Sequence, residues 1–198
     1  MLAVAVVALA GAGAGCRGED PEPAVVTVLV ERPGRVPERA TGFVAANDRV
    51  VTVAHVLDGG GAVAVRAQGG GERRARVVRV DRAADLAVLE ARAPGAPIVS
   101  ASSGGRDARV LSARDGSLRT TDADVRRRIV ARVRDSAGPR VYSRRALEIA
   151  GDISGGDSGA PVVDGEGRLL GVVFARSRRQ PGTAYAVDAS SVDRLLGR

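Results

Sequence analysis

The first candidate for chemistry is a serine between glycines, in the segment Gly156-Asp157-Ser158-Gly159. Acyl transfer by serine requires an exposed hydroxyl and nearby backbone N–H groups that point at the developing oxyanion. Because glycine lacks a Cβ atom, Gly156 can turn its amide toward the same point as the amide of Ser158. Ser158 is therefore a candidate nucleophile, although a Gly/Ser/Asp loop before a strand is also typical of an ordinary turn.

A serine nucleophile needs a base, and the chain contains one histidine, His55. It follows an apolar segment at 51–54 and precedes a glycine-rich loop. A carboxylate, Asp85, stands at the entrance to another apolar segment at 86–89. Taken singly, His55 could be a histidine satisfied by the backbone, and Asp85 could be a turn residue. Their occurrence in the order His, Asp, Ser with Ser158 favours a shared site.

These residues must be positioned by secondary structure, and the sequence predicts short strands separated by turns, as in a sandwich or barrel protein. Two sets of six strands are predicted, on either side of a linker rich in Pro, Ser and Gly at 93–107. The first set covers 25–30, 40–45, 49–54, 62–67, 73–80 and 86–90, and the second covers 108–113, 126–134, 141–149, 160–163, 169–175 and 183–187. A short helix is expected after the last strand, with a capping box from Ser190 to Asp193. Since six strands can close a small barrel, each set is expected to form one.

The net charge of +7 would suit an anionic partner such as nucleic acid or a lipid surface. In 128–134, however, arginines largely alternate with apolar residues, as in a strand with one solvated face. Only 2% of the residues are aromatic, so stacking side chains do not accompany the basic ones. We therefore expect no nucleic-acid binding.

The N-terminal residues 1–14 form an apolar stretch that ends in small residues, which is typical of a secretory signal or a short membrane anchor. Residues 13–16, Gly-Ala-Gly-Cys, resemble a bacterial lipobox, although Gly13 stands where lipoboxes carry Leu. Lipidation of Cys16, which would anchor the protein to a membrane, and an incidental cysteine in a signal tail both stay open. In either case, we expect the domain to be exported.

Several segments together resemble the successive motifs of bacterial trypsin-like serine proteases. They are Thr41-Gly42-Phe43-Val44, Thr52-Val53-Ala54-His55-Val56, Asp85-Leu86-Ala87-Val88-Leu89, Gly156-Asp157-Ser158-Gly159-Ala160-Pro161, Gly171-Val172-Val173-Phe174-Ala175 and Ala184-Tyr185-Ala186-Val187. The order His, Asp, Ser is that of chymotrypsin. The segments are most similar to those of HtrA-type and actinobacterial membrane-associated (MarP-like) periplasmic proteases.

Three features depart from that family. Ala160 stands where most relatives have a second glycine after the serine. Asp157 matches trypsins, whereas HtrA-type proteases often carry Asn, so its charge needs an internal partner that the sequence does not identify. A PDZ-like region does not follow the predicted helix, so regulation by a second domain of the HtrA kind is not expected.

The resemblance implies a role for each candidate residue. Ser158 would attack the scissile carbonyl, and His55 would take and return the proton. Asp85 would orient the imidazole and stabilise its charged form, while the amides of Gly156 and Ser158 would hold the oxyanion. No metal or organic cofactor is implied.

The resemblance also indicates a substrate pocket. Asp152, six residues before Ser158, stands where trypsins place the acidic floor of the pocket that binds Arg or Lys side chains. Phe174 and Arg176 would lie near the same pocket, and the charge of Arg176 argues against a basic substrate side chain there. The preferred side chain next to the scissile bond stays open.

We therefore predict an all-β fold of two six-stranded antiparallel β-barrels, chymotrypsin-like, with a short C-terminal helix. The predicted segments are a signal or lipoprotein-type segment at 1–15, a polar tether at 16–23, and a protease domain at 24–198 with barrels at about 24–95 and 106–188 and a helix at about 189–197. The predicted activity is that of an exported serine endopeptidase acting on peptides or proteins. An inactive protease fold that binds peptides in the cell envelope, or an esterase with the same triad, would also fit. The sequence leaves the natural substrate, an activation step and the oligomeric state open.

Overall fold

Two rings of β-strands make up most of the protein, as seen in a computed structural model that describes residues 20–101, 104–114, 116–134 and 139–198. The first barrel contains β1 (Val25–Glu31), β2 (Glu38–Ala46), β3 (Arg49–Val53), β4 (Ala62–Arg66), β5 (Glu72–Asp81) and β6 (Leu86–Glu90). Their order around the ring is β1-β2-β3-β6-β5-β4, and each neighbouring pair is antiparallel. Because the ring is closed, none of these strands is left with an unpaired edge.

The second barrel repeats this arrangement. It contains β7 (Asp107–Arg114), β8 (Ser117–Arg134), β9 (Val141–Ala150), β10 (Pro161–Val163), β11 (Leu169–Arg176) and β12 (Thr183–Asp188). Its order around the ring is β10-β11-β12-β9-β8-β7. The helix α1 (Ala189–Leu196) follows β12. The predicted fold class of two six-stranded antiparallel barrels with a short final helix is confirmed.

The strand that differs most from its sequence prediction is β8. It was expected over 126–134 but begins nine residues earlier and runs over Ser117–Arg134. Its first half pairs with β7, and its second half pairs with β9. Most residues of this first half are polar, and they are partly or fully exposed on both faces. They therefore lack the apolar alternation that marks a half-buried strand.

The barrels meet along buried strands of the first barrel. Six of the seven residues of β1 are buried, because one face lines the barrel interior and the other contacts β7. Two threonines cross this junction with hydrogen bonds: Gly116 N donates to Thr27 Oγ1 at 3.3 Å, and Ala113 N donates to Thr41 Oγ1 at 3.1 Å. The junction thus fixes one barrel against the other, and the candidate site lies beside it.

The final helix starts from a different cap than the sequence predicted. The residue that caps α1 is Asp188, whose side chain accepts a hydrogen bond from Ser190 N at 3.0 Å. The predicted capping box from Ser190 to Asp193 is therefore wrong: Ser190 already lies inside the helix, and Asp193 instead accepts a hydrogen bond from Ser100 Oγ at 2.9 Å. Within the described residues, no helix is long and apolar enough to cross a membrane.

The ends of the predicted tether and linker are more ordered than expected. A 3-10 helix occupies Glu22–Ala24, at the end of the predicted tether, and Ala24 is fully buried. The linker also pairs with the second barrel, since Leu169 N donates to Val99 O at 2.7 Å. Cys16 and the predicted signal segment lie outside the described residues.

Candidate active site

His55 lies just beyond the end of β3, at the start of the single-turn 3-10 helix His55–Leu57. The sequence placed a strand through Ala54, whereas β3 ends at Val53. The turn brings the imidazole toward the second barrel, and its side chain is 32% exposed. His55 is therefore accessible to a substrate while one side of its ring remains in the protein.

Asp85 binds His55 through both of its carboxylate oxygens. Oδ2 lies 2.9 Å from His55 Nδ1, and Oδ1 accepts a hydrogen bond from the His55 backbone N–H at 2.9 Å. A carboxylate can only accept, so the proton of the neutral ring resides on Nδ1. This leaves His55 Nε2 unprotonated and able to act as a base.

The turn that presents Asp85 has an unusual backbone. Asp85 has a φ of +59°, in the left-handed region that few residues other than Gly, Asn and Asp adopt. The turn is held by Ala84 N, which donates to Asp81 Oδ1 at 2.9 Å, and by Ala54 N, which donates to Asp85 O at 3.0 Å. The same backbone region thus fixes both the carboxylate and the start of the histidine turn.

The protonation of His55 reflects two opposing influences. Burial is the largest single one and lowers the pKa of His55, while the hydrogen bond and the negative charge of Asp85 raise it. Smaller attractions to Asp58 and Glu38 add to the increase, and the net result is a pKa above the usual value of 6.5. The imidazolium formed during a proton transfer is therefore stabilised at this position.

A buried arginine that the sequence analysis missed lies beside Asp85. The side chain of Arg144, from β9, is 5% exposed, and its Nη1 lies 3.4 Å from Asp85 Oδ2. It also donates to Ala84 O at 3.3 Å and lies 5.0 Å from the ring centre of Phe174. The alternation of β9 gave no signal for it, because Arg144 and Arg145 are adjacent and only the tertiary structure shows which one is buried.

Ser158 lies on the loop between β9 and β10, and the first barrel holds this loop in place. Thr41 N, in β2, donates to Ser158 O at 2.8 Å, and Thr52 Oγ1, in β3, donates to Thr41 O at 2.7 Å. Both threonines are fully buried. Since β3 also leads to His55, this chain of hydrogen bonds ties the serine loop to the strand that carries the histidine.

The serine loop leaves several polar groups available to a substrate. Within the described part of the chain, the Ser158 hydroxyl makes no hydrogen bond to His55 or to another residue. The backbone N–H groups of Gly156 and Ser158 likewise donate to no acceptor among the described residues, whereas Asp157 N donates to Ser154 O at 3.1 Å. Hydrogen bonds between catalytic groups often tighten only when substrate binds.

Asp157 has the internal partners that its charge requires. Its side chain is 1% exposed, and Oδ2 accepts hydrogen bonds from Ser154 N at 2.7 Å and Ser154 Oγ at 3.1 Å. Arg114 Nη2 lies 3.2 Å from Oδ1, and Arg119 Nη1 lies 3.5 Å from Oδ2. Both arginines come from the β7–β8 hairpin, so the second barrel itself neutralises the carboxylate.

The three residues predicted for the substrate pocket do not form one cluster. The side chain of Asp152 is 90% exposed and forms an ion pair with Arg119 at 2.8 Å, so it does not form a buried acidic floor. Phe174 is buried and lines the cleft beside His55. Arg176 is exposed and lies outside the lining of that cleft. Only Phe174 therefore lies beside the histidine.

Side chains that could bind a metal ion do not cluster among the described residues. Across residues 20–101, 104–114, 116–134 and 139–198, no group of three or more His, Cys, Asp or Glu side chains could hold a metal ion. The groups that the described site offers for chemistry are its hydroxyl, imidazole, carboxylate and backbone amides.

Comparisons with known proteins point to the same chemistry. Residues 40–172 match the family model described as a trypsin-like peptidase domain. The chain is 36% identical to Serine protease Rv3671c of Mycobacterium tuberculosis over 185 residues, which cover 89% of this chain and 46% of that protein. It is also 32% identical to a probable periplasmic serine endoprotease, DegP-like, of Brucella suis, with 83% of this chain and 34% of that protein covered.

A solved structure has the same overall arrangement. The crystal structure of the Rv3671c protease from M. tuberculosis in its active form matches with a TM-score of 0.83 and 34% identity, covering 89% of this chain and 81% of that one. The chain spans less than half the length of the two curated relatives that it matches. The similarity thus concerns the two-barrel part of those proteins.

Proposed function

We propose that this chain, which belongs to the trypsin-like peptidase family, is a serine endopeptidase that hydrolyses peptide bonds through an acyl-enzyme. Ser158 is the nucleophile, His55 is the general base and acid, and Asp85 orients the histidine. The observation that carries this proposal is the double contact of Asp85 with His55, through Nδ1 and through the backbone N–H, each at 2.9 Å. That contact leaves Nε2 as the basic nitrogen.

The first half of the proposed reaction forms the acyl-enzyme. Ser158 Oγ attacks the carbonyl carbon of the scissile bond while His55 Nε2 takes the hydroxyl proton. The carbonyl oxygen becomes an oxyanion, and the N–H groups of Gly156 and Ser158 donate to it. When the C–N bond breaks, the imidazolium returns its proton to the leaving amine.

The second half repeats these steps with water. His55 Nε2 takes a proton from water, the hydroxide attacks the acyl carbon, and the C–O bond to Ser158 breaks as the proton returns to Oγ. In both halves the carboxylate of Asp85 stabilises the imidazolium each time it forms. Arg144 Nη1 lies 3.4 Å from Asp85 Oδ2, the same oxygen that contacts His55 Nδ1.

We also propose that the enzyme acts outside the cytoplasm. The apolar residues 1–14 support export, and the Brucella suis relative is named as periplasmic. Detergent-phase partitioning of the expressed protein, compared with a Cys16→Ala variant, tests the anchor. Partitioning that is lost with the cysteine assigns a lipid to Cys16, whereas equal behaviour of both proteins assigns an incidental cysteine.

The nucleophile is tested by treatment with a fluorophosphonate, which reacts with activated serines, followed by intact-mass analysis. We expect one adduct on Ser158 in the native protein and none in the Ser158→Ala variant or in protein unfolded with denaturant. A folded protein that takes up no reagent would contradict the proposal. Hydrolysis of matched amide and ester substrates then separates a peptidase from an esterase that uses the same triad.

A further inference from the structure

A cleft of about 370 Å³ opens beside His55 between the two barrels. Among the described residues its charged lining is dominated by arginine: Arg82, Arg134, Arg144 and Arg178 contribute four positive charges, while Asp85 contributes one carboxylate. The remaining lining is mostly apolar and includes Val133 and Phe174. The cleft is therefore strongly positive in the place where a substrate must pass the histidine.

Two of the four arginines are neutralised by carboxylates of the protein. Arg144 Nη1 lies 3.4 Å from Asp85 Oδ2, and Arg82 Nη1 lies 2.7 Å from Asp58 Oδ1. These pairs leave little net charge for a ligand at either position. The positive potential of the cleft must then come from its other two arginines.

Arg134 and Arg178 supply that uncompensated charge. Both are exposed, and neither has an ion-pair or hydrogen-bond partner within the part of the chain that the structure describes. Arg134 lies at the end of β8, and Arg178 lies just after the end of β11. Two strands of the second barrel thus present one guanidinium each to the cleft that contains His55.

The acidic residue that could have favoured a basic substrate lies elsewhere. The side chain of Asp152 is 90% exposed and forms an ion pair with Arg119 rather than lining this cleft. A lysine or arginine side chain of a substrate would therefore meet cations beside His55. Like charges at this distance weaken binding, whereas a carboxylate would be attracted.

From these charges we infer that the cleft binds an acidic side chain of the substrate, so that the enzyme prefers peptides with Glu or Asp close to the scissile bond. The inference rests on the proposed peptidase function. The guanidinium groups of Arg134 and Arg178 hold the carboxylate, since the planar fork of Arg matches two carboxylate oxygens. Val133 and Phe174 offer apolar surface for the methylene groups of the same side chain.

The test uses pairs of fluorogenic peptides that are identical except for Glu or Gln at one position, moved in turn along both sides of the scissile bond. The enzymes are the wild-type chain, Arg134→Gln, Arg178→Gln, the double variant and a matched control, Arg74→Gln. Arg74 is an exposed arginine of β5 that does not line the cleft. Fluorophosphonate labelling of Ser158 is measured for every protein before the peptides are compared.

At one position we expect the wild type and Arg74→Gln to have a higher kcat/KM for the Glu peptide than for its Gln partner. Each cleft substitution should lower that ratio by about two- to fivefold, as for an exposed ion pair. The ratio should also fall in about 0.5 M salt, because salt screens exposed charges. Labelling of Ser158 should be the same in all five proteins.

Two results would overturn the inference while leaving the peptidase function intact. One is labelled, active enzyme with equal rates for every Glu and Gln pair. The other is a preference for Glu that the double variant retains in full. Folded wild-type protein that is neither labelled nor active would contradict the proposed function itself, and the inference with it.

Discussion

Asp85 has to satisfy two demands at once, because its backbone forms a left-handed turn while its carboxylate fixes the histidine. Asn also tolerates a left-handed φ, so Asp85→Asn should preserve the turn at +59°. Its amide N–H₂ can donate to His55 Nδ1, which moves the ring proton to Nε2 and removes the base. We expect kcat to fall by about four orders of magnitude.

Steady-state kinetics of Asp85→Asn, with active sites counted by fluorophosphonate, would measure this loss. The melting temperature serves as the control: it should fall, because the buried Arg144 loses the carboxylate that pairs with its charge, so the kinetics are measured well below the variant's unfolding transition. A well-folded variant whose kcat stays within about tenfold of the wild type would show that Asp85 does not set the tautomer of His55.

The raised pKa of His55 predicts how activity depends on pH. The base must be neutral to accept the proton of Ser158, so kcat/KM should decline as pH falls through the pKa of His55. Because Asp85 raises that pKa, the decline should be centred above 6.5. Measuring kcat/KM from about pH 5 to about pH 9 gives the midpoint of this decline. A midpoint below 6.5 would contradict a pKa of His55 that is raised by Asp85.

The same pKa makes an opposite prediction for stability. A group whose pKa is raised on folding contributes stability that is fully present below its unfolded value and is lost as pH rises through its folded value. The difference in melting temperature between the wild type and His55→Gln should therefore be largest below pH 6.5 and shrink above it. Acidic conditions would thus increase the contribution of His55 to stability while they protonate the base.

The loop that carries Ser158 depends on one glycine for its position. Gly159 has a φ of +86°, and a Cβ atom on it would lie 1.9 Å from Thr41 O. An alanine there must push the loop away from β2, which would break the hydrogen bond from Thr41 N to Ser158 O. We expect Gly159→Ala to reduce fluorophosphonate labelling of Ser158 by at least about tenfold, as positional errors in a site do.

Gly155→Ala is the matched control in the same loop. A Cβ atom at Gly155 would meet no atom within 4 Å, and its φ is not in the left-handed region. Labelling of this variant should stay close to that of the wild type. Equal labelling of Gly159→Ala and Gly155→Ala in folded protein would show that contact with β2 does not position the nucleophile.

The strands and turns that could be predicted from the sequence are those marked by apolar alternation or by turn-forming residues. The strand β6 was predicted with its observed bounds, Leu86–Glu90, because it is apolar and lies between clear breaks. The first half of β8 was missed because most of its residues are polar and its structure depends on pairing with β7. The cap of α1 was misplaced because Ser190 and Asp188 both suit an N-terminus, and only the path of the chain selects Asp188.

In the candidate site, too, some residues could be identified from the sequence and others could not. His55, Asp85 and Ser158 were proposed from the sequence for their residue types and order, and the structure brings Asp85 into contact with His55. Arg144 could not be singled out in this way, since only the tertiary structure shows that this arginine, one of many, is buried beside Asp85. The supposed pocket residue Asp152 had the right spacing in the chain, yet Arg119 holds it at the surface. The number of residues between two positions predicts a shared role only where the loop between them has the same length as in the related proteins.

The proposed triad requires a fixed relation between the barrels, because His55 and Asp85 belong to one barrel and Ser158 to the other. The helix α1 contributes to this relation. It continues from β12 of the second barrel, yet Leu195 O accepts a hydrogen bond from Arg79 in β5 at 2.6 Å, and Arg198 donates to Ala45 O in β2 at 2.9 Å. The end of the chain thus fastens the second barrel onto the first.

Leu195 tests this connection, because its side chain is only 5% exposed and belongs to the core cluster that both barrels share. Leu195→Ala should lower the free energy of unfolding by about 2 to 3 kcal/mol, from lost burial and the cavity that remains. Arg194→Ala, an exposed neighbour on the same helix, should change it by less than about 0.5 kcal/mol. Urea unfolding followed by circular dichroism gives both values.

If α1 holds the barrels in register, labelling of Ser158 in Leu195→Ala should be lost at a lower urea concentration than the circular dichroism signal of the strands. Coincident loss of labelling and strand signal would instead mean that the barrels unfold as one unit and that the helix adds only stability.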